Sequence, residues 1–321
     1  MMHKSNNDLI VCKYCQSPNV IKFGKYQNIQ YYWCKDCKRK FSGIEAIPKM
    51  HTPTHQIADA LNMYYEGLSL SEIRRNLIQQ HKNYISRISA YNWMERFTKL
   101  AIEETEKYKP DVGGVWVADE TMIELDGKNV WFWDIIDTRT RFLLASHMSY
   151  SRTSEDARIL MENAFKKAGR YPRIIYTDKL RAYLEGIEQV FGGETRHMQG
   201  SPFEIESHHN YIERFHSTLK ERTKVMRGLK TMKTAKLFLD GWLMHYNFFR
   251  PHMSLKDKTP AEVAGIKCPL HNWRDVVEQP FEVTARIPMR LVSSKRKRET
   301  ARRKTTKPRT PTLSLSTVRM R

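Results

Sequence analysis

The chain has 321 residues, 40% of them hydrophobic, which is enough for a buried core with accessory modules and excludes a disordered or fibrous protein over most of its length. No run approaches the roughly 18 apolar residues of a membrane span, and the first ten residues lack the apolar stretch of a secretory signal, so the expectation is a cytoplasmic protein with no membrane partner. Lysine and arginine number 55 against 35 acidic residues, a net charge of +20 that points to a polyanionic partner, nucleic acid above all.

Residues 1–48 hold four of the five cysteines, as Cys12-x-x-Cys15 and Cys34-x-x-Cys37. The 18 residues between the pairs give the spacing of a four-thiolate zinc site, in which each C-x-x-C turn presents two sulfurs from one knuckle. One structural Zn²⁺ would supply the stability that about 40 residues cannot draw from a core of their own; two disulfides are the alternative. Residues 20–26 and 29–33 read as a hairpin, which completes a zinc ribbon. Lys38 and Arg39, with Lys13, Lys22, Lys25, Lys35 and Lys40, make a basic face that is either a nucleic-acid contact or a solvated surface.

Residues 49–110 form a helical module. Apolar residues recur at helical spacing (Ile57, Leu61, Tyr64; Leu70, Ile73, Leu77; Ile85, Ile88, Tyr91, Trp93, Phe97), which predicts three short helices, with Gly67 ending the first and Ser69 or Ser71 capping the second. Residues 85–93 have the small polar residues and the arginine, Arg87, of a recognition helix in a helix-turn-helix; a plain three-helix bundle is the alternative.

Beyond Gly113-Gly114 the pattern changes to strands over 115–123, 129–136 and 141–148, then a helix over 153–168, a short strand over 172–176 and a helix over 180–190. That order predicts a multidomain α/β chain whose core, residues 111–266, is a mixed-sheet sandwich of the ribonuclease-H kind. Three carboxylates stand on its elements: Asp119, Asp178 after the short strand, and Glu213 on a helix where Asn210, His216 or Ser217, and Lys220 share its face. Hard oxygen ligands of this sort can hold two Mg²⁺ ions for phosphodiester chemistry, with Lys220 on a nearby phosphate. Glu120, Asp134, Asp137 and Glu206 compete for the role, Glu120 being expected on the strand face opposite Asp119.

The runs Val117-Ala118-Asp119-Glu120-Thr121, Tyr176-Thr177-Asp178, Asn210-x-x-Glu213-Arg214 with Lys220, Tyr246-Asn247-x-x-Arg250-Pro251-His252 and Thr259-Pro260-Ala261-Glu262 resemble the DDE transposases with a retroviral-integrase-type core, in particular the insertion-sequence-six family of bacterial and archaeal elements. The resemblance covers about half the chain. It implies a transposase in which Asp119, Asp178 and Glu213 bind two Mg²⁺, with Mn²⁺ as a substitute, and in which nicking frees 3′-hydroxyl ends that attack target DNA. It also implies that the ribbon and helical module bind terminal inverted repeats, with Arg214, Lys220, Arg87, Lys38 and Arg39 as DNA contacts. A homo-oligomer holding both element ends would act in a prokaryotic cytoplasm, associated with the nucleoid. The alternatives are a non-catalytic DNA-binding regulator and a nuclease of the same fold that only hydrolyses.

No phosphate loop of the G-x-x-x-x-G-K-[ST] type occurs, so no nucleotide cofactor is expected. The aromatic residues Phe238, Trp242, Tyr246, Phe248 and Phe249 read as a core-facing helical stripe, Cys268 as a packing thiol, and His208 and His209 as surface or packing residues. Residues 267–284 connect the core to a basic tail over 285–321. Positions 286–321 of that tail hold 13 Lys and Arg and one acid, Glu299, and the tail is either a DNA-backbone contact or a solvated end.

Overall fold

The computed structural model describes residues 10–26, 29–44, 46–47, 50–200, 209–225 and 230–279. The chain divides into two units, Met1–Gln279 and Pro280–Arg321, the second of which, with the basic tail, lies outside the described residues, as do Glu206 and His208.

Strands β1 (Val20–Tyr26), β2 (Ile29–Cys34) and β3 (Lys40–Ser42) form an antiparallel sheet in that order. One face packs Val20, Tyr32 and Tyr14 on a small cluster of Cys12, Cys34 and Phe41. Each cysteine knuckle closes with a left-handed residue directly after its second cysteine, Gln16 (φ 58°) and Lys38 (φ 55°), which turns the chain back sharply enough to aim both sulfurs inward.

Three helices follow: α1 (Thr54–Tyr65), α2 (Leu70–His81) and α3 (Arg87–Thr105). Gly67 (φ 124°) takes the turn after α1, and Ser69 caps α2 in a reciprocal box with Glu72. Ser86 caps α3, which runs 19 residues and is longer than the short helix expected from the pattern, because its buried face continues past Phe97 through Ala101 and Thr105.

The core sheet contains β4 (Val115–Leu125), β5 (Lys128–Asp137), β6 (Leu143–Ser149), β7 (Ile174–Thr177) and β8 (Arg196–Gln199) in the order β6-β5-β4-β7-β8. The first three strands are antiparallel neighbours, and β7 and β8 join in parallel. Helices α4 (Ser154–Ala168) and α5 (Arg181–Phe191) cover one face, where Trp133 meets Tyr183. Helix α6 (His209–Val225) lies on the other, where Phe132 meets Phe215. This is the ribonuclease-H-like layer arrangement. Strand β8 is absent from the expectation, since four residues reading Arg-His-Met-Gln carry neither alternation nor an apolar run.

Helix α7 (Met232–Phe248) buries Phe238, Trp242, Tyr246 and Phe248, so the aromatic stripe is core. Gly241 sits where an added Cβ would strike Tyr65 and Thr98, whose hydroxyls bond each other at 2.6 Å, so only glycine allows α7 this close to α1 and α3. The short helices α8 (Pro260–Val263) and α9 (Trp273–Glu278) follow, and buried Trp273 of α9 stacks on Tyr65 at 4.9 Å. Cys268 is a half-buried free thiol.

Asn247 at the end of α7 explains part of the Tyr-Asn run. Its Oδ1 accepts the Leu143 N–H and its Nδ2 donates to the Leu143 carbonyl, each at 2.9 Å, at the irregular start of the β5/β6 pairing. Asn247→Ala leaves two buried backbone groups unpaired and is expected to cost about 2–4 kcal/mol, read as a lower denaturant midpoint at unchanged m-value.

Candidate active site

The parallel ladder between β4 and β7 brings the first two carboxylates together. Val117 pairs with Tyr176, where the ladder ends, and Asp119 within β4 and Asp178 directly after β7 each lie two residues further on. Asp178 accepts the Leu180 N–H with Oδ1 at 2.9 Å, which fixes its carboxylate just before α5 begins. Burial, reinforced by the nearby Asp134 and Glu120 carboxylates and only partly relieved by His216, pushes the Asp119 carboxyl up to about 7.

Asp119, Asp178 and Glu120 each offer a carboxylate oxygen within 4.8 Å of the others. Strand alternation does direct Asp119 to the α6 face, where Oδ2 is 3.5 Å from His216 Nδ1, and Glu120 to the α5 face, where it accepts Tyr183 Oη at 2.7 Å. The expected separation of these neighbours therefore holds for their contacts and fails for their carboxylates, which come within 4.8 Å of each other. Glu120 also pairs with Arg152, whose guanidinium lies 3.6 Å from Asp178 Oδ2 and 4.6 Å over the Trp131 ring. Burial raises the Glu120 carboxyl as well.

The donor set fits a hard divalent cation. Mg²⁺ holds oxygens at about 2.0–2.1 Å, so opposite ligands stand about 4.2 Å apart, and the three oxygens need only small adjustments. A carboxyl kept protonated by burial and, after it, by neighbouring acids gains most from a cation.

Glu213 is not part of this cluster. It is exposed on α6, as are Arg214 and Lys220, while Ile212, Phe215, His216 and Leu219 form the buried stripe of the helix. His216 thus departs from the expected shared face with Glu213 and Lys220, since its neighbours at i−4, i−1 and i+3 belong to the buried stripe and turn it toward the sheet. Of the competing acids, Asp137 accepts the Thr140 N–H and hydroxyl at 2.8 and 2.6 Å and serves the turn after β5. Asp134 is fully buried on His216. Arg152, the approach of Glu120 to Asp119 and Asp178, and the contact between His216 and Asp134 are the features that sequence reasoning missed. The one available signal was a lone charge, Asp134, inside the apolar run 130–136.

At the other end of the chain Cys12, Cys15, Cys34 and Cys37 bring four sulfurs within 4.8 Å, with Cys12 to Cys37 at 3.5 Å and Cys15 to Cys34 at 3.6 Å. All are free thiols rather than disulfides. A tetrahedral zinc with Zn–S of about 2.3 Å has edges of about 3.8 Å, so the set fits. Burial, and after it the three neighbouring sulfurs, pushes the Cys37 thiol up to about 12, the crowding that a cation would relieve.

Lys38 and Arg39 are exposed, Arg39 lying 5.1 Å over the Tyr14 ring. Arg87, the first residue of α3, is exposed beside Arg74 and Arg75, and the three line an open groove of about 680 Å³ with Ser71, Tyr84 and Ser86. No helix among the described residues is long and apolar enough to cross a membrane.

Residues 113–252 match the family DDE_Tnp_IS240, described as a DDE domain. No curated protein matches the chain. Among solved structures, a chain of the simian T-cell lymphotropic virus intasome in complex with PP2A regulatory subunit B56 gamma is 16% identical with a TM-score of 0.40, over 67% of this chain and 77% of that one. The HTLV-2 integrase catalytic core domain in complex with magnesium, in its dimeric form, is 16% identical with a TM-score of 0.37, over 49% and 97%. The BIV integrase catalytic core domain is 15% identical with a TM-score of 0.35, over 47% and 93%.

Proposed function

We propose that the chain, whose residues 113–252 match a DDE domain family, is a DDE transposase that cuts and joins the DNA ends of an insertion sequence by two-metal phosphodiester chemistry, after binding the terminal inverted repeats. The observation that carries the chemistry is the side-by-side placement of Asp119 and Asp178, partly buried just beyond the end of the β4/β7 ladder, with carboxylate oxygens within 4.8 Å. Asp119, Asp178 and Glu213 would hold the ions, with Glu213 delivered by α6, which packs on β4. Bound there, Mg²⁺ supplies activation of the attacking oxygen and charge stabilisation of the leaving oxygen.

The chain's own groups do the rest. Arg152, held by Glu120 and Trp131 beside Asp178, presents a cation where a phosphate would enter. Lys220 and Arg214, exposed on the helix of Glu213, hold the DNA backbone, and Arg87 with the groove on α2 and α3 enters the duplex. Lys38 and Arg39 on the ribbon, ordered by one structural Zn²⁺, add phosphate contacts. Joining two ends in one complex calls for a homo-oligomer. As domains we take a ribbon over 1–48, a DNA-binding helical module over 49–110 and the catalytic core over 111–266, followed by a connecting segment and the basic tail.

The test uses the full chain, Mg²⁺ and a labelled duplex taken from the DNA flanking its gene. Free 3′-hydroxyl ends at a short inverted repeat together with joined products are expected. Ends without joining would make the protein a nuclease, and binding without cutting would make it a regulator.

A further inference from the structure

Asp134 stands directly opposite Asp119 in the β4/β5 ladder, on the same face of the sheet. It is fully buried, its Oδ2 takes the Nε2–H of His216 at 2.6 Å, and its Oδ1 has no hydrogen-bond partner among the described residues. The other ring nitrogen, Nδ1, lies 3.5 Å from Asp119 Oδ2. His216 is itself buried, three residues after Glu213 on α6.

Two acids directly opposed across a strand pair repel, and a buried carboxylate with an unpaired oxygen destabilises a fold that an apolar side chain would serve better. Stability therefore does not account for the pair. A carboxylate that holds a histidine against a metal-binding group does have a function: such outer partners orient the ligand atoms. We propose that Asp134 and His216 form a positioning pair that fixes the orientation of the Asp119 carboxylate and couples it to the helix carrying Glu213. This rests on the reading above that Asp119 holds a metal ion. The ring separates the two acids and aims one nitrogen at each, so that any movement of α6 is transmitted to Asp119.

The experiment compares full-length wild type, Asp134→Asn and the double variant Asp134→Val with His216→Leu. It reads thermal melting, Mn²⁺ affinity by electron paramagnetic resonance, DNA affinity, and kcat apart from KM for nicking. The double variant replaces a buried polar pair by apolar groups and should melt close to wild type with unchanged DNA affinity and KM. Its Mn²⁺ affinity and kcat should fall roughly 10–100-fold, the usual cost of losing an outer partner. Asp134→Asn keeps an acceptor for His216 and should stay within about threefold of wild type, which a role through charge alone would not permit. Should the double variant not fold, His216→Gln, which keeps a donor for Asp134 and withdraws the atom facing Asp119, carries the same expected loss. A folded double variant, or folded His216→Gln, with wild-type Mn²⁺ affinity would overturn the proposal, as would an equal loss in Asp134→Asn. Wild type that binds Mn²⁺ without cutting DNA would defeat the function proposed above and leave this comparison standing.

Discussion

Asp119→Asn, Asp178→Asn and Glu213→Gln are each expected to abolish cutting and joining while leaving DNA affinity within a few-fold of wild type. Each substitution keeps size and removes one charged oxygen ligand. The loss should exceed about 10³-fold in rate, beyond the 10–100-fold of an outer partner, because a direct ligand would hold the ion itself rather than orient another ligand. On the proposed function DNA affinity rests elsewhere, on Lys38, Arg39, Arg87, Arg214 and Lys220. Glu120→Gln separates the two candidates for the third ligand. Glu120 already accepts from Tyr183 and pairs with Arg152, so on the proposed ligand set its replacement should slow the reaction through misplaced Arg152 without abolishing it. Single-turnover rates on a pre-bound duplex measure all four variants. Residual joining by Glu213→Gln with none by Glu120→Gln would transfer the ligand role to Glu120.

Removing zinc from the ribbon should unfold residues 10–44 while the core stays folded. Among the described residues Cys12, Cys34 and Phe41 form its buried cluster. One buried aromatic contributes about 1.5–3 kcal/mol, whereas ordering each residue costs about 1–2 kcal/mol. Structural zinc, with an apparent binding free energy of about 10–16 kcal/mol in zinc-finger peptides, closes the gap. Cys34→Ser should therefore release zinc, abolish the β1 and β2 amide protection seen by hydrogen exchange, and weaken binding to inverted-repeat DNA at least tenfold, with protection in β4 and β5 unchanged. A ribbon that keeps its protection without zinc would show that the strands hold themselves.

The elements that could be read in advance are those with strong local signals. The ribbon followed from cysteine spacing, α1 to α3 from apolar periodicity and caps, and β4 to β7 from alternation bounded by turns. Asp119 and Asp178 were legible because both lie at the ends of recognisable apolar segments, and a parallel strand pair then sets them side by side. The approach of Glu120 was not, since alternation fixes the face a residue leaves from and not where its carboxylate ends. His216 and Asp134 are 82 residues apart and meet only once α6 lies on the sheet. Strand β8, short and polar, is held by pairing with β7, a tertiary effect that leaves no local trace.

The most direct test of the central claim is the mapping of DNA ends after incubation of wild type and Glu213→Gln with Mg²⁺ and a plasmid carrying the native flanking DNA. The account predicts 3′ nicks at the inverted repeats and joined products for wild type, all dependent on Mg²⁺, and intact plasmid for Glu213→Gln. Joined products from Glu213→Gln, or wild-type cutting that persists in chelator, would contradict it.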